Sequence, residues 1–304
     1  MRTPIFCYKG FIMKAISFSI DDGNLSTDEK FLRIVNPYGI RGTFNLCHTN
    51  SLSPEEYREF YKGHGIANHC MRHPMVFCEG REYRISPEPL TDTNGNENLL
   101  YPTKDVRIFH CYPHTWRKYT DRETYYEFSE QSRAALLAVF GASAAKDFVW
   151  PFGEQSDPAL FEMLKKRYRS IRKTGVILDS TGFSLPEDLY AWSYNAAQKT
   201  LLDAAALYEA YPDDGTLKFF SFGVHSVDYE TDGRWDDLRT FCERMGNRPD
   251  VYWYAPIGEI FDYAEAVSAV RITDRKIVNP TDAKIYMLLD GERTVLSPHS
   301  ECVL

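Results

Sequence analysis

Short β-rich runs alternate with amphipathic helical stretches along most of this 304-residue chain. That alternation is the pattern of βα units wound around a parallel sheet. The spacing predicts strands at 14–20, 41–47, 65–68, 147–150, 168–172, 217–224 and 251–255. Helical patterns separate them. One follows the first strand, with Ser26 and Thr27 as caps and Asp28 and Glu29 in its first turn. Others lie at 54–62, 121–140, 158–167, 199–210, 235–245 and 259–270. The expected fold class is α/β, a distorted (β/α) barrel of about seven parallel strands over 14–270, after a leader at 1–13. Residues 271–304 change character and read as a small C-terminal β extension, a hairpin turning at Asp290-Gly291. Residues 74–120 are rich in Pro, Asn and Gly and read as a long irregular, functional loop region.

Composition narrows the partners. Asp and Glu number 43 against 35 Lys and Arg, a net charge of −8. With no basic run, nucleic acid is not an expected partner. No apolar run approaches the roughly 18 residues of a membrane span, so no membrane is expected either. The first residues lack the basic, apolar and small-residue order of a secretory signal. The chain as given is therefore expected in the cytoplasm, with action outside it left open. Seven cysteines without framework spacing read as reduced thiols. Oligomeric state is open.

The chemistry is expected where the barrel strands end. Ser19-Ile20-Asp21-Asp22-Gly23 closes the first strand. Its two carboxylates are either a solvated Asp-Gly turn or a pair in which one ligates a metal and the other stays free as a base. After the third strand, His69 and His73 stand at i and i+4 in Asn68-His69-Cys70-Met71-Arg72-His73-Pro74. On a helical turn they would face one way, as two surface imidazoles or two metal ligands. With Asp22 they make a His-His-Asp set that leaves positions open for water, the catalytic kind of site. Trp150-Pro151-Phe152-Gly153 follows the fourth strand, either as a plain turn or with a backbone N–H at Phe152 aimed at an oxyanion. Trp150 and Pro151 are candidate substrate contacts. His225 ends the sixth strand as a structural histidine or a general acid.

The order of these motifs resembles the polysaccharide deacetylase family, the NodB homology domain or carbohydrate esterase family 4. Ser19 to Gly23 is similar to the family's Thr-Phe-Asp-Asp-Gly, and His69 to Pro74 to its His-x-x-x-His-Pro. Val149 to Gly153 is similar to its Arg-x-Pro-Tyr-Gly, and Phe222 to His225 to its Leu-x-x-His. The resemblance implies that Asp22, His69 and His73 hold one divalent metal, foremost Zn²⁺, with Co²⁺, Mn²⁺ or Ni²⁺ also accepted. It implies that Asp21 is the base, the Phe152 N–H an oxyanion donor, and His225 the acid. The implied reaction removes acetyl from an N- or O-acetylated carbohydrate. The alternatives are hydrolysis of a C–N bond in a small acyl-amide, as in the allantoinase-like branch, and an inactive glycan-binding domain. Three departures stand out, the mildest being Phe222 in place of the Leu of Leu-x-x-His. Val149 occupies the position of the family's arginine, which orients the base. The fourth motif has no clear counterpart, with Asp179 or Ala191-Trp192-Ser193 nearest to it.

Overall fold

The computed structural model describes residues 4–76, 84–85, 90–91, 97–98, 107–112, 115–153, 155, 157–175 and 183–304. Seven strands form one parallel, curled sheet: β1 (Lys14–Asp22), β2 (Thr43–Leu46), β3 (Gly65–Asn68), β4 (Asp147–Val149), β5 (Ser170–Arg172), β6 (Lys218–His225) and β7 (Tyr252–Tyr254). Their order is β5-β4-β3-β2-β1-β6. β7 shares one side of β1 with β2: it pairs with Lys14 to Ile16, whereas β2 pairs with Ser19 to Asp22. The gap between β5 and β6 is spanned by residues 189–196. Ile171 and Lys173 donate to Leu189 and Trp192 carbonyls on one side, and Asn195 donates to Ser221 on the other. The predicted α/β barrel is thus present, with irregular backbone as its last stave.

Alternation along β1 sorts its side chains. Ile16, Phe18 and Ile20 face the helices and join the largest core cluster. Phe18 packs edge-on against Phe31 of helix α1 (Leu25–Val35) and Phe44 of β2, with ring centroids 5.0 and 5.3 Å apart. Ser17, Ser19 and Asp21 face the other way, into a barrel interior that also receives Asn45 and Arg172. A polar interior lets charged groups rise to the rim already hydrogen-bonded.

Further helices α2 (Pro54–Phe60), α3 (Arg122–Phe140), α4 (Pro158–Lys165), α5 (Leu201–Ala210), α6 (Ser226–Thr231), α7 (Trp235–Met245) and α8 (Ile257–Ser268) complete the α layer. The cap of α1 is Asn24 and not Ser26 or Thr27, because the Asn24 side chain accepts from the Thr27 N–H. The expected irregular region holds strands Arg107–Tyr112 and Thr115–Thr120, paired antiparallel, and the second runs parallel to Met75–Val76. Tertiary pairing of a β-branched and aromatic run outweighed the local turn signals there.

Ile5–Cys7 pairs antiparallel with Ile285–Leu289, which forms a hairpin with Glu292–Leu296. These strands and α8 build a second core cluster on Ala15 and Phe219, near the N-terminal ends of β1 and β6. No helix among the described residues is long and apolar enough to cross a membrane.

Candidate active site

Parallel register brings the motifs to one rim. His225 is the register partner of Asp21, Asp21 of Asn45, Leu46 of Asn68, and Val149 of Arg172. Asp22 leaves the strand with φ of 74°, followed by Gly23 at 72°. This left-handed step turns Asp22 toward His69 and His73 while Asp21 keeps its place in the barrel. Cys70, Arg72, His73 and Phe152 also take positive φ, between 47° and 68°. Such strain in non-glycine residues collects where surrounding structure holds a site in shape.

His69 and His73 do meet, but not on a helical turn. The chain after β3 makes left-handed turns at Cys70 and Arg72, and those turns put the two rings 4.7 Å apart, edge to face. The donor atoms form a small triangle. His69 Nε2 and His73 Nε2 are 3.1 Å apart, and each lies 3.4–3.5 Å from Asp22 Oδ1. Ligands at about 2.0–2.1 Å from a tetrahedral ion stand roughly 3.3 Å from one another, so the triangle has the size of one face of a zinc site. The His69 ring has a fixed orientation: its Nδ1 donates to the Val149 carbonyl at 2.9 Å, which turns Nε2 toward Asp22. Burial alone would raise the Asp22 carboxyl. The hydrogen bond from His69 and the charges of His73 and His225 outweigh it and hold the group well below the usual carboxylate range.

Asp21 stands beside the triangle in a different setting. Arg172 Nη2 donates to both of its oxygens, at 2.5 and 2.6 Å, and Asn45 Nδ2 donates to Oδ1 at 2.7 Å. Burial raises this carboxyl too, and the Arg172 charge, followed by those of His69 and His225, brings it below its ordinary value. His225 points its Nε2 to within 3.6 Å of Asp22 Oδ2, and its Nδ1 lies 3.0 Å from Asp228 Oδ2.

Phe152 sits in the turn Pro151–Gly153, and its ring packs edge-on against His73 at 4.4 Å. Trp150 and Pro151 are buried; Trp150 packs against Phe148 and Tyr125 in a core cluster. Neither ring is exposed. Trp192 is likewise buried against Phe261 and Phe219, and Asp179 lies outside the described residues.

Three residues of the site were not singled out from sequence: Asn45, Arg172 and Asp228. Asp228 carried a local signal, an acid three residues past His225 on a helix start. The other two are united with Asp21 only by strand register.

No curated protein matches the chain. Solved structures that it resembles include a CE4 esterase from Streptococcus mutans, with 14% identity over 80% of this chain and 86% of that one and a TM-score of 0.45. The Xyl-CE4 domain of a multidomain xylanase from the hindgut metagenome of Trinervitermes trinervoides shares 15% identity over 84% and 92%, with a TM-score of 0.47. Peptidoglycan deacetylase PdaC from Bacillus subtilis shares 12% over 84% and 94%, with a TM-score of 0.46. The sequence description of the polysaccharide deacetylase family matches residues 11–171, just over half of the chain, and the chain belongs to that family.

Proposed function

We propose that this protein is a metal-dependent hydrolase that removes acetyl groups from an N- or O-acetylated carbohydrate. The observation that carries the reading is the Asp22–His69–His73 triangle, of the size of a tetrahedral face, with the independently held carboxylate of Asp21 at its side. Two imidazoles and one carboxylate suit zinc, and they also accept other divalent first-row ions. When bound, such an ion supplies Lewis acidity toward the acetyl carbonyl and toward water.

The chain's own residues divide the remaining work. Asp21 takes the proton of the attacking water. The turn at Phe152 offers a backbone N–H to the oxygen that gains charge as the carbonyl becomes tetrahedral. His225 gives a proton to the leaving amine or hydroxyl as the C–N or C–O bond breaks. The products are acetate and the free amino or hydroxyl sugar. Arg172 beside Asp21 also weakens the case for an inactive glycan-binding domain, since the base is held by a guanidinium although Val149 stands at the family arginine's position.

The test is zinc content per chain together with acetate release from N-acetylated chitin oligomers and O-acetylated xylan. Asp22→Ala and His69→Ala are expected to lose the metal and turnover together. Asp21→Asn is expected to keep the metal and lose turnover. Wild type that takes up no metal from excess divalent ion would sink the hydrolase reading and leave glycan binding in its place. Turnover retained in Asp21→Asn would remove that residue from the base role.

A further inference from the structure

We propose that Arg172 is the positioning residue for the base Asp21, doing from β5 what an arginine at position 149 would do from β4, and that it leaves Asp21 Oδ2 as the proton-accepting atom. The inference rests on the deacetylase reading and names a residue that the motif order does not predict. The family match ends at residue 171, one position short of it.

Geometry makes the substitution of strands natural. Val149 and Arg172 are register partners on neighbouring strands, so moving the guanidinium from one to the other is a lateral step of about 4.8 Å at the same height on the barrel. An arginine side chain spans that step. Position 149 then contributes through its backbone, since the Val149 carbonyl orients His69.

The guanidinium is held from several directions. Arg172 is 1% exposed. Its Nη2 bridges the two Asp21 oxygens, its Nη1 donates to the Lys173 carbonyl at 3.3 Å, and the Tyr194 ring lies 5.2 Å from its central carbon. Tyr194 in turn occupies space kept by a glycine. A Cβ on Gly223, two residues before His225, would lie 2.6 Å from Tyr194 Cδ1. The sixth strand therefore makes room for the ring that stacks on the arginine that grips the base. Asn45 completes the hold from β2, itself braced by a hydrogen bond to Ser19 Oγ at 2.8 Å.

Among the described residues the donors are distributed unevenly. Oδ1 of Asp21 receives both Arg172 and Asn45, whereas Oδ2 receives Arg172 alone. A carboxylate oxygen has two lone-pair sites, so Oδ2 keeps one for the proton of the attacking water. A clamp of this kind fixes the direction of proton transfer and leaves the metal ligands untouched.

The experiment compares wild type, Arg172→Ala and Arg172→Lys for kcat, KM and zinc affinity by calorimetry, with and without added guanidinium ion. Loss of an outer-shell partner costs 10- to 100-fold in comparable sites, so Arg172→Ala is expected to lose that much in kcat. KM and the zinc Kd should stay within about threefold of wild type. Guanidinium should restore part of kcat in Arg172→Ala alone, and Arg172→Lys, with a single point donor, should fall between. In the Asp21→Asn background Arg172→Ala should cost no further activity. Wild type that binds zinc but releases acetate from no substrate would overturn the deacetylase reading and the positioning role with it. Active wild type with Arg172→Ala and Arg172→Lys both within twofold of it would overturn the positioning role alone. Loss of zinc affinity in step with kcat, without guanidinium rescue, would replace it with a purely structural role.

Discussion

His225 shows how a residue's surroundings set its part in the chemistry. Burial on its own would push the imidazole down; the hydrogen bond with Asp228 and the charges of Asp22 and Asp21 prevail and bring it up to about 9. A general acid must carry its proton, so turnover falls as pH rises through the value of that group. Asp228→Asn removes the leading upward pull, and the alkaline limb of kcat is expected to move to lower pH. A pH–rate profile checks this, and an unmoved limb would assign that limb to another group. A second consequence concerns the leaving group. His225→Ala should slow amide substrates more than activated esters, whose leaving groups need little protonation; equal losses would make His225 structural. Asp21, Asp22, His69, His73 and His225 were legible in the sequence because each sits in a short motif at a strand end. Arg172 and Asn45 were not, because no local pattern records that residues 149 and 172, or 21 and 45, are side by side.

Elements carry their own constraints. Helix α1 brings Asp28 into full burial, where Ser226 Oγ and Tyr61 Oη donate to its oxygens at 2.5 and 2.8 Å. One carboxyl thus ties α1 to the start of α6, directly after His225, and to the end of α2. Burial pushes this group up to about 7, more than its hydrogen bonds pull it down. Its neutral form suits the site, so its contribution to stability is complete below about pH 4 and is lost as pH rises through about 7. Asp28→Asn keeps a neutral group there at every pH. The stability of wild type is expected to fall relative to the variant across that window, by up to about 4 kcal/mol. Urea unfolding at a series of pH values measures it, and parallel curves would contradict it. The turn after β4 offers a conformational counterpart. Gly153 has φ of 66°, and a Cβ there would lie 2.0 Å from Thr174 Cγ2 and 2.6 Å from the Thr174 nitrogen. Gly153→Ala should therefore cost more than about 1 kcal/mol and disturb Phe152, which reads out as lower turnover at unchanged zinc content. The helix and strand sequence was legible because its hydrophobic periods are local. The turn that joins His69 to His73 was not, because left-handed φ in Cys70, Arg72 and His73 is imposed by packing and not by residue type.

At the scale of the molecule, the rim and the β extension occupy different ends of the same strands. Ala15 and Phe219 belong to the cluster that receives the extension, and Asp21 and His225 lie six residues further along β1 and β6, about 20 Å at the rise of a strand. Tyr263 of α8 joins the pieces at the far end. Its hydroxyl donates to the Cys7 carbonyl at 2.5 Å and accepts from the Tyr286 N–H at 3.0 Å, so one buried group links helix, N-terminal strand and C-terminal hairpin. Tyr263→Phe would remove both of these hydrogen bonds to the backbone, at a cost of about 1–3 kcal/mol. A loss of that size lowers Tm by several degrees in a chain of this length. The zinc site should be indifferent to it, because no described element of the extension reaches the rim motifs. Thermal unfolding and zinc calorimetry on the same variant separate the two effects. A lower Tm with an unchanged zinc Kd would show the extension acting as a brace for the base of the barrel, whereas a weakened zinc Kd would mean that strain at the base travels along β1 to Asp22.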